Sequence, residues 1–264
     1  MNKKELRKLQ LIELNIIEEV ERICKKNNIT FYLGEGTLLG AIRHNGFIPW
    51  DDDLDILMLR DDYEKFLKIA PKEIDSKFEV QHSTLIHNYW SPFIKIRLLD
   101  TSFFTQSHIS HITDHNGPLL DIFPIDNVPK QDSLKQKMQA YKIKYYRGII
   151  THGLKLREPK TNIEKIIRIL SSFYNIEKVH KKLDKTFKIY NNKNNKFTVN
   201  LASYYNYKKQ TFPKEYYGKP RLIKFESKLR PVPKEAEKIL TTIYGDYMIL
   251  PPEEKRYGKH NFHD

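Results

Sequence analysis

Four aspartates fall in one five-residue stretch: Asp51, Asp52, Asp53 and Asp55, directly after Trp50. Residues two apart on a strand point to the same face, about 6.5 to 7 Å apart along the chain. On a strand, Asp53 and Asp55 would share a face while Leu54 and Ile56 turn to the core. Two carboxylates side by side repel at neutral pH unless they share a proton or bind a cation. Oxygen ligands so spaced suit Mg2+ or Mn2+, and such ions commonly work on phosphates. The plain alternative is a solvated acidic loop. Asp55 argues against it, because it sits in an apolar run (Leu54, Ile56, Leu57, Met58) where an unpaired carboxylate is costly.

A phosphate site would need an anion cradle beside the cation, and the preceding residues offer one. Gly34, Gly36 and Gly40 allow close backbone approach, and Thr37 brings a hydroxyl to the start of a helix predicted over about 37–43. Arg43, at the end of that helix, could bind a phosphate or neutralise the nearby aspartates. Trp50 could pack beside the strand or stack on a base or a cationic ligand. Further along, Lys95 and Arg97 share one face of a strand predicted over 93–99. They read as phosphate clamps or as charges protecting an edge strand. Asp121 interrupts the apolar strand predicted over 118–123 and needs a partner: a metal shared with Asp53 and Asp55, or a salt bridge. Asp126 is expected in a loop after Pro124. His108, His111 and His115, with Asp114, stand at metal-like spacing, but no apolar periodicity makes a helix there, and a polar loop is the expectation.

The elements that must hold these residues follow from periodicity. Leu9, Ile12, Ile16, Val20 and Ile23 predict an amphipathic helix over 5–26, with Asn27-Asn28 as its break and a strand over 29–33. Asp61-x-x-Glu64 reads as a capping arrangement for a helix ending near Pro71. Strands are expected over 78–82 and 93–99, with 101–105 as a hairpin return. Beyond Val128 the pattern turns helical. Leu134, Met138, Tyr141 and Tyr145 mark one helix, Thr161-x-x-Glu164 caps a second, and Ile176, Val179, Leu183, Phe187 and Tyr190 mark a third. Segments 196–203 and 221–226 are strands that complete the sheet or form a hairpin. Pro233 opens a last helix that stops at Gly245. Tyr244, Tyr247 and Met248 are expected to pack back on the core.

The run GTLLGAIRHNGFIPWDDDLDI closely resembles the signature of the LicD family, a fukutin-related-protein-like branch of the nucleotidyltransferase superfamily. That pattern is Gly-Ser/Thr, a helix, then Asp-x-Asp on a strand with apolar residues between, and a third carboxylate on a later strand. It maps to Gly36-Thr37, to Asp53 and Asp55, and to Asp121 in LLDIFPID; YGDYM followed by Pro-Pro near the C-terminus is a further similarity. The resemblance implies an α/β fold: a nucleotidyltransferase-like mixed sheet with flanking helices over residues 1–128. Residues 129–264 would form a basic, mainly helical annex packed on that core as one compact unit. It also implies a chemistry: metal-dependent transfer of phosphocholine from CDP-choline to a sugar of teichoic acid or lipopolysaccharide, releasing CMP. Relatives move other phospho-alditols such as phosphoglycerol or phosphoribitol. A choline ammonium would want aromatic faces, for which Trp50, Tyr89, Trp90 and Phe123 are candidates.

Bulk properties bound the alternatives. The chain has 264 residues, 39% of them hydrophobic, enough for a good core. The start, MNKKELRKLQLIEL, is charged throughout and does not read as a signal peptide. Cys24 is the single cysteine, which fits a reducing compartment. Together these predict a cytoplasmic protein. The formal net charge of +13 is concentrated: residues 130–196 hold 18 Lys and Arg against 5 Asp and Glu, and the rest is balanced at 28 against 28. The basic segment reads either as a solvated helical face or as a surface for an anionic partner: a phosphate-bearing glycan, a lipid-linked oligosaccharide, or the inner face of an anionic membrane. No nucleic-acid recognition module is visible, so nucleic acid is not expected. A glycosyltransferase of the Asp-x-Asp kind is the second enzyme reading, though it has no need of the Gly-Thr turn. A basic polyanion-binding module is the non-enzyme reading, though it has no need of three site carboxylates.

Overall fold

The computed structural model describes residues 2–101, 104–105, 117–203, 205–258 and 262–263. It begins with α1 (Lys3–Lys26), which a capping box closes: Asn2 accepts from the Lys4 and Glu5 amides while the Glu5 carboxylate accepts from the Asn2 amide at 2.7 Å. Lys25 and Lys26 suit the negative end of the helix dipole. Then come β1 (Tyr32–Leu33), α2 (Glu35–His44), β2 (Asp55–Leu59), α3 (Arg60–Glu73), β3 (Phe78–Gln81), β4 (Ile94–Leu98), β5 (Phe104–Thr105) and β6 (Leu119–Val128). Three helices follow, α4 (Leu134–Gly153), α5 (Asn162–Ser171) and α6 (Ile176–Lys188). The chain ends with β7 (Phe197–Val199), β8 (Thr211–Pro213), β9 (Arg221–Phe225), β10 (Lys228–Val232), α7 (Ala236–Tyr244) and β11 (Phe262–His263).

The architecture is mixed α/β, a curled mixed sheet flanked by helices. Strands run in the order β1-β2-β6-β4-β3, with β7 also on β6 and β8 beyond it. Among the described strands, only β2 and β6 pair in parallel. A parallel pair needs a crossover rather than a tight turn, and α3, β3 and β4 lie between the two strands in the chain. Leu54, Ile56, Ile94, Ile96, Leu120 and Ile122 are fully buried, with α1 and α3 packed on the strands that carry them.

Several expectations are corrected here. The Asp61-x-x-Glu64 cap does not form: α3 starts at Arg60, and Glu64 instead accepts from Arg60 (3.1 Å) and Lys188 (3.0 Å). Pro71 lies inside α3, which runs on to Glu73; in the last turn proline costs little, since few bonds remain to break. Asp126 is on β6 rather than in a loop. Pro124 does not stop that strand, because it falls between the residues paired to β4 (119–122) and those paired to β7 (126–128). The Asp121 amide donates to the Leu54 carbonyl, so strand alternation turns the Pro124 nitrogen away from β2, and no ladder bond is lost. Of the hairpin return expected over 101–105, residues 102 and 103 lie outside the described residues; β5 pairs with β11 from far along the chain, a partner no local spacing could signal. Of the two alternatives for residues 221–226 the hairpin holds: β9 pairs with β10, apart from the main sheet. Met248 is exposed, whereas Tyr244 and Tyr247 pack on the core. The stripe Leu134, Met138, Tyr141, Tyr145 faces outward; Gln136, Gln139, Ile143, Ile149 and Ile150 form the buried side of α4. His108, His111, His115 and His260 lie outside the described residues.

One buried ion pair ties the sheet to its helices. Asp126, wholly buried, accepts from Arg60 Nε (2.8 Å) and Nη2 (2.7 Å) and from Asn191 Nδ2 (2.6 Å). Removing one partner strands a buried charge. Asp126→Ala should therefore lower unfolding free energy by about 3–5 kcal/mol in urea denaturation. Glu64→Ala, removing the more exposed partner of the same arginine, should cost under about 1 kcal/mol.

Candidate active site

The parallel register sets Asp55 of β2 beside Asp121 of β6, and the next pairing sets Lys95 of β4 beside Asp121. The three side chains stand abreast on one face of the sheet. Lys95 Nζ donates to both Asp121 carboxylate oxygens, at 2.6 and 2.8 Å, and lies over the rings of Phe93 (4.8 Å) and Trp90 (5.3 Å). The salt bridge expected as one alternative for Asp121 is thus present. Arg97, two pairs further along β4, is buried and bonded elsewhere. Its Nε donates to Gln81 Oε1 (3.0 Å) and its Nη1 to the Gly117 carbonyl. Asp53 precedes β2, which begins at Asp55, yet both aspartates open into one cavity with Asp121 and Asp51.

Helix α2 starts at Glu35, two residues earlier than expected, so Gly36 and Thr37 lie in its first turn. Thr37 Oγ1 accepts from the Asp55 amide at 2.8 Å, so the hydroxyl pins the helix start to the first strand residue. A Cβ on Gly36 would come within 2.8 Å of Asp51 Oδ2; the glycine is what lets that carboxylate lie against the helix start. Glu35 takes a positive φ of 46°, a left-handed conformation uncommon outside glycine, and buries its carboxylate. Asn200 Nδ2 donates to it at 2.9 Å and Gln210 Nε2 at 2.9 and 3.0 Å.

The cavity holds about 950 Å³. Its floor is the acidic face just described. Gly36, Arg43, Trp50 and Phe123 contribute to the wall, and the C-terminal part of the chain closes it with Tyr205, Tyr244, Tyr247 and Tyr257. Arg43 Nη1 donates to the Tyr247 carbonyl at 2.6 Å, fastening that segment to α2. Trp50 meets His44 edge-on, and the Arg256 guanidinium sits 5.6 Å from its ring centre. Of the aromatic residues singled out in the sequence, Trp50 and Phe123 reach the cavity. Tyr89 is buried and donates to Gln81 Oε1 at 3.0 Å.

Among the described lining residues, Glu35, Asp51, Asp53, Asp55, Asp121 and Asp246 stand against Arg43 and Lys255. Such an excess of negative charge disfavours ionisation. Burial, and then Asp53 and Asp121, hold the Asp55 carboxyl well above the usual range. Burial pushes Glu35 up to about 7, against the pull of its amide donors. Glu13 of α1, which the sequence reading passed over, is 1% exposed with no hydrogen-bond partner for either oxygen among the described residues. Burial raises its pKa strongly, and the charges of Asp53, Asp51 and Asp52 raise it further. Asp51, Asp52 and Asp53 also offer carboxylate oxygens within 4.8 Å of one another. Hard oxygen ligands crowded at low dielectric, with a buried carboxyl beside them short of partners, are a donor set that Mg2+ or Mn2+ fits.

The residues that build this face lie within a known sequence family. The LicD/FKTN/FKRP nucleotidyltransferase domain matches residues 28–157, which carry α2, Asp51–Asp55, Lys95 and Asp121. The chain is also 32% identical over 267 residues to the lipopolysaccharide cholinephosphotransferase LicD of Haemophilus influenzae, an alignment covering 98% of this chain and 97% of that protein. It belongs to the LicD family. A shorter similarity, 37% over 70 residues, links it to an uncharacterised protein of Rickettsia typhi, covering 26% of this chain and 23% of that one. The 28–157 match stops short of Ser203, Tyr205 and Tyr244, so in this LicD-family chain the cavity is completed by residues beyond it.

The raised Glu35 carboxyl makes a signed prediction for the metal-free protein. Below its ordinary pKa of 4.5 the group is protonated whether folded or not. Between 4.5 and about 7 the unfolded chain releases the proton first, so stability falls as pH rises. Glu35→Gln keeps one oxygen that can accept from both Asn200 and Gln210, as Oε1 does, without the charge. In chelator, thermal unfolding should show it more stable than the parent above about pH 7, by roughly 1–3 kcal/mol, and equal to it below pH 4.5.

Proposed function

We propose that this protein transfers phosphocholine from CDP-choline to a sugar hydroxyl of a cell-surface glycan precursor, releasing CMP. The observation that carries the proposal is the convergence of Asp53, Asp55 and Asp121 on one cavity at the start of α2. The full-length similarity to a lipopolysaccharide cholinephosphotransferase supports the choice of group transferred. A lipopolysaccharide-type sugar is the acceptor class that relative favours; teichoic acid sugars have the same hydroxyl chemistry.

In this reading Asp53, Asp55 and Asp121 would hold Mg2+ or Mn2+, with Asp51 beside them. The bound ion would supply charge neutralisation for the donor diphosphate and acidify a coordinated hydroxyl. The rest is done by the protein. The acceptor oxygen attacks the phosphorus that bears choline. The bond from that phosphorus to the oxygen bridging to CMP breaks, and CMP leaves with the electron pair. The hydroxyl proton passes to a site carboxylate or to water. Lys95, anchored on Asp121, would place a cation at that carboxylate, and Arg43 would supply a second from the cavity lining. Arg97 supports β4 and Gln81 rather than contacting the donor. Trp50, Tyr205 and Tyr247 line the cavity and are the aromatic candidates for the choline ammonium.

Release of CMP from CDP-choline, with water as a poor acceptor, tests this directly. It should require Mg2+ or Mn2+, stop in EDTA, and fall at least about 100-fold in Asp53→Ala and in Asp55→Ala. Asp55→Ala should meanwhile unfold no more easily than the parent in chelator, because it removes a buried, repelled carboxyl. CMP from CDP-glycerol or CDP-ribitol in place of CDP-choline would reassign the donor. Hydrolysis insensitive to EDTA and to both variants would sink the proposal.

A further inference from the structure

The helices of the basic segment carry their apolar residues on the wrong side for a core. On α4, Leu134, Met138, Tyr141 and Tyr145 recur at intervals of four, three and four, and so lie on one line along the helix. Leu134 and Tyr141 are each more than 70% exposed. The buried side of the same helix uses Gln136, which donates to Thr211 Oγ1 at 2.7 Å, and Gln139, which donates to the Thr186 carbonyl at 2.8 Å. On α5, which packs against α4, Ile163, Ile166, Ile169 and Leu170 are each more than half exposed, and Phe173 just beyond is 82% exposed. A hydrogen bond of 2.8 Å between the hydroxyls of Tyr145 and Tyr174 joins the end of the α4 stripe to the end of α5. The two stripes make one continuous apolar ridge. Scattered exposed apolar residues are ordinary; a contiguous ridge over two helices is not.

Its flanks are cationic. Around α4, Lys135 and Lys142 fall on one side of the stripe and Lys137 and Lys144 on the other, by the 100° step of the helix. Lys160 and Lys165 stand exposed near and on α5. We infer that the outer face of α4 and α5 is a docking surface for an anionic lipid bilayer, with the ridge seated at the headgroup boundary and the lysines reaching the lipid phosphates. Lysine stems can lie along such a boundary with their ammonium groups in the headgroup layer.

Charge decides against a second copy of the chain. A two-fold interface sets the same patch against itself. Lys and Arg outnumber Asp and Glu by 18 to 5 over residues 130–196, so two such faces would meet with like charge. Lysine is also depleted in protein interfaces. An anionic bilayer is complementary to both the ridge and its rim.

Co-sedimentation of the full chain with vesicles tests the inference. With phosphatidylcholine containing about 30% phosphatidylglycerol the protein should pellet, more weakly as salt rises. With phosphatidylcholine alone it should stay largely in solution. Ile166→Asp with Ile169→Asp, at exposed positions and with folding verified by circular dichroism, should lower partition by at least about tenfold per residue. Lys135→Gln, Lys142→Gln and Lys144→Gln together should remove most of the preference for the anionic vesicles. The inference fails if the parent does not pellet, if the double Asp variant pellets equally, or if both vesicle types bind alike. It also fails if sedimentation velocity finds a dimer that the double Asp variant dissolves. None of these readouts involves CMP release, so the assigned reaction stands or falls separately.

Discussion

The alignment of β2 with β6 is the constraint on which the rest depends. It places two aspartates from segments 66 residues apart side by side at the sheet's active face, Asp55 against Asp121. Strand side chains alternate, so a slip of one residue would send Asp121 into the apolar layer and expose Leu120 or Ile122. The fully buried Leu54, Ile56, Leu120 and Ile122 therefore enforce the carboxylate geometry from the opposite face. The hydrophobic effect holds together charges that would otherwise separate. Thr37 adds a local lock through the Asp55 amide, and Lys95 balances one of the two carboxylates. Asp55 and Glu35 are left with raised pKa values, the cost of burying carboxyls beside other carboxylates.

Distant parts of the chain brace this small region. Gln10 of α1 donates to the Asp51 carbonyl at 3.0 Å. Glu226, in the turn of the β9–β10 hairpin, accepts from Arg7 and from the Phe47 amide, while its own amide donates to the Asn45 carbonyl at 2.8 Å. Arg43 holds the Tyr247 carbonyl, and Asn200 and Gln210 hold Glu35. The loop between α2 and the aspartates is thus clamped by the first helix, by the hairpin and by the tail. Similarity over 98% of the chain to a cholinephosphotransferase of the family is what such bracing leads one to expect, because the site has supports at both ends.

Local signals made the centre of this architecture legible. The strand carrying Asp55, the helix before it, the later strand with Asp121, and the faces of α1, α6 and α7 all follow from apolar spacing and short-range turn chemistry. What escaped depends on long-range partners. Asp126 looked like a loop residue because Pro124 precedes it, yet the proline sits where its missing N–H faces no strand. The Asp61-x-x-Glu64 pattern gave way because Arg60 is drawn to Asp126 and takes Glu64 with it. The pairing of β5 with β11 joins residues more than 150 positions apart. Glu13 was legible in principle: it stands four residues after Leu9 and three before Ile16, a carboxylate on the buried stripe of α1, where only a special neighbourhood tolerates one.

The α4 stripe shows a different kind of limit. Periodicity says that Leu134, Met138, Tyr141 and Tyr145 share a face; it does not say which way that face points. Residues are usually oriented by assuming that the apolar side seeks the core, and here that assumption inverts the helix. The inward side is held instead by directional bonds, Gln136 to Thr211 and Gln139 to carbonyls at the end of α6, together with Ile143, Ile149 and Ile150 in the second half. Buried amide donors need acceptors, and the chain supplies them for Gln136 Nε2 and Gln139 Nε2 from residues 75 and 47 positions away, though Gln139 Oε1 has no partner among the described residues. The ridge is therefore not a failed core position. The fold spends specific polar contacts to keep the opposite side inward, and a surface so maintained, apolar along its crest and cationic along its edges, has the composition of a boundary between water and lipid rather than of a protein interior.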